Sequence, residues 1–454
     1  MLALCLPVWA VEPLVGTHGS TLKRAQLSTL MAGTAAGQTP GVPAPPADLK
    51  RQPGAVNTDK PPQVLTLDDA IRLARQNSPH LRGANAVYER AEAATRTASA
   101  YTNPSVEVFE GKQAARQVRN PGAPGLLQHY AAYQTVEIPS ERRARKRAAQ
   151  LARISTRYAA QSVQFGIVAE AKHAFYGVLR QREEVRHALE NLGLVQDLRR
   201  RVEVEVNTGE KGRLELTRAE AELARANFMV SSARINLVNA MAQLRVAIAA
   251  PASANLDPEG SLEPPVKLGT LDQLRTKVLQ IHPALEQART DVEQAQAVLT
   301  HERTLRIPQP TFFGEFERQP DLTFWRAGVT IPVPLWNRRQ GQIAESQAAI
   351  RQMEADRDRR TLEINAALER AYEQYQLADE QTKSLESGSL HEAESAVEAA
   401  KAAYRFGERG IVEVLDAQRV LQSVRGDLLD AQYARQSALV DLEELGAVTP
   451  GGKQ

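Results

Sequence analysis

Gly209-Glu210-Lys211-Gly212-Arg213-Leu214-Glu215-Leu216 returns late in the chain as Gly407-Glu408-Arg409-Gly410-Ile411-Val412-Glu413-Val414, at an offset of 198 residues (407 against 209). Ala219 and Leu223 find counterparts in Ala417 and Leu421 at the same spacing. Upstream, Thr66-Leu67-Asp68 through Pro79-His80-Leu81 pairs with Thr270-Leu271-Asp272 through Pro283-Ala284-Leu285, an offset of 204 (270 against 66), and Pro104 lands on Pro308. Anchors in the same order at both ends mark an internal duplication with small length changes between them.

Each half reads with one plan. A first helix is expected over about 68–102, and its counterpart over about 271–306. Two alternating, strand-like segments follow: 105–111 and 128–138 in the first half, 310–318 and 323–331 in the second. Their connecting loops, 112–127 and 319–322, are polar and contain proline or glycine. Ile138-Pro139 and Ile331-Pro332 then lead into long helical stretches. Ser140 to Val206 is 67 residues without a proline, or about 100 Å of helix. The second stretch runs from about Trp336 to Phe406, with Ser387-Gly388-Ser389 as a candidate break. The glycine turns reverse the chain, and helices over about 213–249 and 411–446 return. Helices of this length call for coiled-coil packing or a helical tube. The expected organisation is a Pro/Ala-rich leader over 1–63, a first repeat over 64–250, a Pro-rich linker over 251–268, a second repeat over 269–447 and a flexible tail over 448–454.

Composition narrows the function. Lysine plus arginine number 56 against 54 aspartate plus glutamate, so bulk positive charge for holding nucleic acid is absent. Apolar residues make up 43% but aromatics only 5%, which fits thinly packed, alanine-rich helices better than one compact core. The single cysteine, Cys5, excludes an internal disulfide and a thiolate metal cluster. It follows Leu2-Ala3-Leu4, a poor lipidation signal. Met1 to Ala10 resemble the tail of a secretory signal peptide without its charged start. His391-Glu392 begins a zinc-protease pattern, but Ser395 breaks it. No phosphate-binding loop, dinucleotide fingerprint or nucleophile elbow is present, so neither an enzyme nor a cofactor is expected. His80, His282 and His301 are scattered and read as surface or packing residues, and no metal ligand set is assigned.

The four strands have lengths close to those of outer-membrane strands. An open four-stranded sheet cannot stand in lipid, because its edges leave backbone groups unsatisfied. Copies must therefore share one barrel: three give twelve strands, two give eight. Alanine-rich seams let helix axes approach closely, as a tube wall requires.

In this plan, and in Phe406-Gly407-Glu408-Arg409-Gly410-Ile411-Val412-Glu413-Val414-Leu415-Asp416-Ala417, the chain resembles the TolC-type outer-membrane efflux family over about 65–447. Ile331-Pro332-Val333-Pro334-Leu335-Trp336-Asn337-Arg338-Arg339-Gln340-Gly341 resembles its heavy-metal-cation branch. The resemblance implies a mainly α fold with a membrane β-barrel: a homotrimer with twelve strands over a periplasmic helical tunnel. It also implies a periplasmic membrane-fusion adaptor, an inner-membrane RND-type pump reached indirectly, and a passive exit duct. Rival readings are a periplasmic coiled-coil scaffold with short hairpins, and an outer duct for drugs or type I protein export.

Candidate functional residues follow. Gly209, Glu210, Gly212, Leu214, Gly407, Glu408, Gly410, Ile411 and Val412 would form adaptor-docking tips, the glycines permitting the tight reversal. Glu413 and Asp416 share a helix face and would ring the tunnel mouth with carboxylates, or simply favour a helix N-terminus. The resemblance implies a latch from Tyr404, Arg409 and Glu215 that bridges neighbouring helices. Arg142, Arg143, Arg145, Lys146 and Arg147, with Arg338 and Arg339, lie where strands pass into helices and would meet outer-membrane lipid phosphates. Tyr130, Tyr133, Phe312, Phe313, Phe316, Phe324, Trp325 and Trp336 concentrate around the strands, as interface girdles do.

Overall fold

The computed structural model describes residues 63–112, 125–262, 265–320 and 322–449, all within one unit, Val56–Gln454. The expected leader, part of the loop over 112–127 and the end of the tail lie outside the described residues.

The first helical segment of each repeat is two helices, not one. α1 (Leu67–Asn77) and α2 (Pro79–Ser99) meet at Ser78, and their counterparts α5 (Leu271–Ile281) and α6 (Pro283–Thr304) meet at His282. The expected continuous spans of 68–102 and 271–306 fail for one reason. Proline disfavours the helical region for the residue before it, and Ser78 and His282 sit at ψ 122. The same proline suits the first turn of the next helix. Thr66 and Thr270 cap α1 and α5, the latter in a reciprocal capping box with Gln273.

β2 (Ser105–Lys112), β3 (Leu126–Thr135), β5 (Thr311–Arg318) and β6 (Thr323–Thr330) form one antiparallel sheet in the order β2-β3-β5-β6. The β3–β5 ladder joins the two repeats. The strand expected to reach Ile138 stops at Thr135. A parallel pair absent from the expected plan, β1 (Gln63–Leu65) with β4 (Leu256–Pro258), ties the start of the first repeat to the inter-repeat segment.

α3 (Pro139–Asn207) is one 69-residue helix, packed on α2, α6 and the returning α4 (Arg213–Ala247). Its partner in the second repeat is interrupted. α7 (Gln340–Ser384) passes through a π-helical turn, Leu385–Ser389, into α8 (Leu390–Arg405). The Ser387-Gly388 break is thus a π-bulge, which accommodates extra chain without ending the helix. α7 begins four residues later than expected at Trp336, because Pro332 and Pro334 hold the approach non-helical and Arg339 is left-handed (φ 59). α9 (Ile411–Glu444) returns against α7 and α3.

Burial concentrates where helices cross. One core surrounds Phe175, Val178 and Leu244 in the first repeat, and a second surrounds Val278, Leu368 and Leu442. Lys172 and Glu443 pair at 2.5 Å between α3 and α9 with both side chains buried. Among the described residues no helix is long and apolar enough to cross a membrane.

Candidate functional site

The two helix reversals share one backbone. Gly209 N–H donates to Val206 O and Glu210 N–H to Glu205 O; Gly407 N–H donates to Tyr404 O and Glu408 N–H to Ala403 O. This is the Schellman pattern, which needs a left-handed residue after the cap, and Gly209 (φ 82) and Gly407 (φ 74) supply it. Gly212 and Gly410 do not: they are extended N-caps at φ −83 and −84. Only one glycine of each pair is conformationally required.

Side chains at the tips divide differently from the expectation. Glu210, Leu214, Glu408 and Val412 are exposed, and so is Phe406, at 81%. Ile411 is fully buried, in a cluster with Leu198, Val202, Ala219, Val414 and Tyr404. It therefore anchors the second tip from inside and offers no docking surface. The first residue of a helix returning over a neighbouring helix is the position nearest that neighbour, and an apolar side chain there is drawn into the seam.

The latch of Tyr404, Arg409 and Glu215 is not formed within the chain. Tyr404 donates its hydroxyl to Glu205 Oε2 at 2.5 Å, bridging α8 and α3, and Lys211 Nζ lies 5.6 Å from its ring centroid. Burial and the Glu205 carboxylate hold the Tyr404 hydroxyl well above the usual tyrosine range. Arg409 is exposed, while Glu215 has a buried Oε2 that accepts no hydrogen bond. Glu413 and Asp416 are both exposed on α9. Asp416 pairs with Arg419, which reaches across to Glu222 on α4 at 2.8 Å. Glu205, Arg419 and Glu222 make the observed crosslinks near the tips. Their separations along the chain, 199 residues for Tyr404 to Glu205, leave no local signal.

At the opposite end, much of the basic cluster is engaged by protein. Arg142 stacks on Tyr101 at 3.8 Å, and donates to its hydroxyl and to Ser99 O. Arg145 grips Glu137 through two bonds of 2.8 and 2.9 Å, which holds that carboxyl below its usual range. Arg143 donates to Pro139 O, Arg147 approaches Glu293, and Arg339 pairs with Glu302. Arg143, Lys146 and Arg338 keep exposed side chains. Arg142 and Arg145 therefore tie α3 to the end of α2 and to the segment after β3, and have little left to give a lipid phosphate.

The sheet separates its two faces by chemistry. Register places Val106, Val108, Tyr130, Phe316, Trp325 and Val329 on one face, all exposed, Trp325 at 79%. The other face carries Glu107, His129, Glu315, Glu317 and Arg326. Alternation of this kind, apolar outward and polar inward, characterises transmembrane barrel strands. Tyr133, Phe313 and Phe324 fall on the polar face, so they are not part of an outward girdle; Trp336 is exposed beyond the sheet. His129 was not singled out in the sequence, because its meaning depends on a register set by strands nearly 190 residues apart (317 against 129).

Long helical hairpins reversed at two capped tips, with a sheet that carries its charged cluster on one face and exposed apolar side chains on the other, are features of an outer-membrane channel subunit. Comparison with known proteins agrees. Residues 274–447 match the family described as outer membrane efflux protein. The chain is 27% identical over 377 residues to the cobalt-zinc-cadmium resistance protein CzcC of Cupriavidus metallidurans, covering 80% of this chain and 85% of that protein. It is 26% identical over 355 residues to protein CyaE of Bordetella pertussis, covering 73% and 74%. Among solved structures, CusC superposes with a TM-score of 0.73 at 20% identity over 84% of this chain and 91% of that one. The second half of the chain thus carries the match to the outer membrane efflux protein family, and a heavy-metal resistance protein is among the relatives it resembles. An outer-membrane efflux channel is the function these similarities support.

Proposed function

We propose that three copies of this chain close a twelve-stranded barrel and form the exit duct of a tripartite pump for divalent heavy-metal cations. The observation that carries the reading is the sheet: its apolar face is exposed, and β2 and β6 are open edges. Open edges in hydrocarbon cost several kcal/mol per unsatisfied group, and closure with further copies removes them. A soluble scaffold gives no reason for an apolar face of this extent. Likeness to CzcC supports metal cations as cargo. Exposed Leu214, Phe406 and Val412 around the capped turns support docking of a periplasmic adaptor, itself joined to an RND-type inner-membrane pump. Exposed Arg143, Lys146 and Arg338 suit lipid phosphates at the inner leaflet. Glu413 and Asp416, tripled by symmetry, would favour cations at the tunnel mouth.

The test has two parts. Detergent-extracted protein from the outer-membrane fraction is expected to have the mass of a trimer, and recovery as a soluble monomer defeats the shared barrel. Deletion of the chain is expected to lower cobalt, zinc and cadmium tolerance while leaving drug tolerance and protein secretion intact. The reverse pattern assigns the duct to drug or protein export. Gly209→Glu or Gly407→Glu should retain the trimer and lose efflux; undiminished tolerance in both would remove the tips from docking.

A further inference from the structure

On the charged face of the sheet, His129 of β3 stands directly opposite Glu317 of β5, with Glu315 two residues along the same strand. His129 Nδ1 lies 3.6 Å from Glu315 Oε1 and 3.8 Å from Glu317 Oε2. One ligand atom from each residue falls within 4.8 Å of the other two. Ligands around a tetrahedral ion at about 2.1 Å stand about 3.4 Å apart. Small side-chain rotations therefore bring these three onto one cation. Ala131 faces Glu315 across the ladder.

Two further features point to a cation. The Glu315 side chain is only 4% exposed, an unusual place for a carboxylate on a strand of eight residues. It is held by Arg326, whose Nη2 and Nε donate to its two oxygens at 2.7 and 2.9 Å. A carboxylate has about four acceptor sites, so Glu315 can keep Arg326 and still offer a lone pair. Glu107 occupies the same cross-strand row through Ala131. Glu107, Glu315 and Glu317 thus face one guanidinium, and the wall retains negative charge.

We propose that His129, Glu315 and Glu317 form a weak way-station for a borderline divalent transition cation on the conduit side of the sheet, with Arg326 as a fixed competitor. Imidazole with carboxylates suits zinc or cobalt rather than magnesium, which prefers oxygen and water. Arg326 keeps the affinity low, and conduction needs a site an ion can leave. The proposal deepens the exit-duct reading and rests on it for access of the cation to this face.

The experiment is a calorimetric titration of the full-length detergent-extracted protein with Zn²⁺ alone, then with Mg²⁺ alone. One Zn²⁺ per chain is expected, with Mg²⁺ much weaker. His129→Ala and Glu317→Gln should weaken Zn²⁺ binding about tenfold or more. Arg326→Gln should tighten it several-fold, a gain that misfolding would not produce. No binding by the parent chain, equal binding in His129→Ala and Glu317→Gln, or Mg²⁺ binding as tight as Zn²⁺ overturns the site. An Arg326→Gln protein that binds no tighter overturns the competitor. Zinc tolerance of cells lacking the chain is measured in parallel. Unchanged tolerance there removes metal export as the function while the titration still decides the site.

Discussion

Gly209 and Gly407 close the same capping motif, yet four residues on the first tip has exposed Arg213 and the second has Ile411 in the core. Six positions past the glycine, Glu215 keeps a buried Oε2 that accepts no hydrogen bond, while its counterpart Glu413 is exposed. Val206 in the first repeat corresponds to Tyr404 in the second, which donates its hydroxyl to the first repeat's Glu205. Duplication supplied two equal backbones, and divergence made the second tip lean on the first. The first tip is therefore the support and the second the dependent element. Movement at the tunnel end is expected to begin by loosening Ile411 and Tyr404 from α3.

Exchanging the anchors should show this most strongly. Ile411→Arg, which copies the first tip, buries a charge where an isoleucine is fully enclosed. Its cost should exceed the roughly 3 kcal/mol expected for Ile411→Ala. Arg213→Ile, on an exposed site, should change stability by no more than about 0.5 kcal/mol. Thermal unfolding of the extracted protein measures both, and equal effects would dissolve the asymmetry. The caps should behave alike instead. An added Cβ meets no atom within 4 Å at Gly209 or Gly407, so Gly209→Ala and Gly407→Ala should each cost only the left-handed backbone penalty, about 1–2 kcal/mol. A clear difference between them would mean the tips differ in backbone as well as anchoring.

Legibility in the sequence followed the range of the interactions. The repeats, the four strands and the two reversals were readable because periodicity, glycine and proline act locally. The helix breaks at Ser78 and His282 are equally local: Pro79 and Pro283 fall inside the spans that read as single helices, and each turns the residue before it away from the helical region. The β1–β4 pair was not readable, because three residues show no period. Tyr404–Glu205, Arg419–Glu222 and the His129–Glu315–Glu317 group depend on which helices and strands become neighbours. No residue pattern within a window carries that information. Ile411 reads as a tip residue because it directly follows the turn and precedes exposed Val412, while its own side chain belongs to the seam.

The hydroxyl bridge sharpens the dependence of the second tip on the first. Tyr404→Phe removes the bond to Glu205 and should cost about 1 kcal/mol. It should also raise resting conductance in planar bilayers. The pH dependence has a definite sign. A tyrosine held above its unfolded value of 10.0 keeps its proton in the folded state after the unfolded chain has lost it. Stability therefore falls as pH rises past that value. Denaturant midpoints across that range should fall more steeply for the parent than for Tyr404→Phe, and parallel curves would remove the bridge from the tip's stability.

The far ends of the returning helices repeat the comparison on a smaller scale. α9 closes with Gly446 at φ 73, donating to Glu443 O while Ala447 donates to Leu442 O. α4 closes with the same pair of bonds, Ala249 to Val246 O and Ala250 to Arg245 O, but its left-handed residue is an alanine at φ 50. Here the first repeat carries the strain that glycine relieves in the second. Ala249→Gly should therefore stabilise the protein by up to about 1 kcal/mol, and Gly446→Ala should destabilise it by a similar amount. Unfolding midpoints of the two variants moving in opposite directions would establish that the repeats share this cap and differ only in how well its residue fits. Movement in the same direction would mean that packing around Ala249, not its backbone, sets the preference.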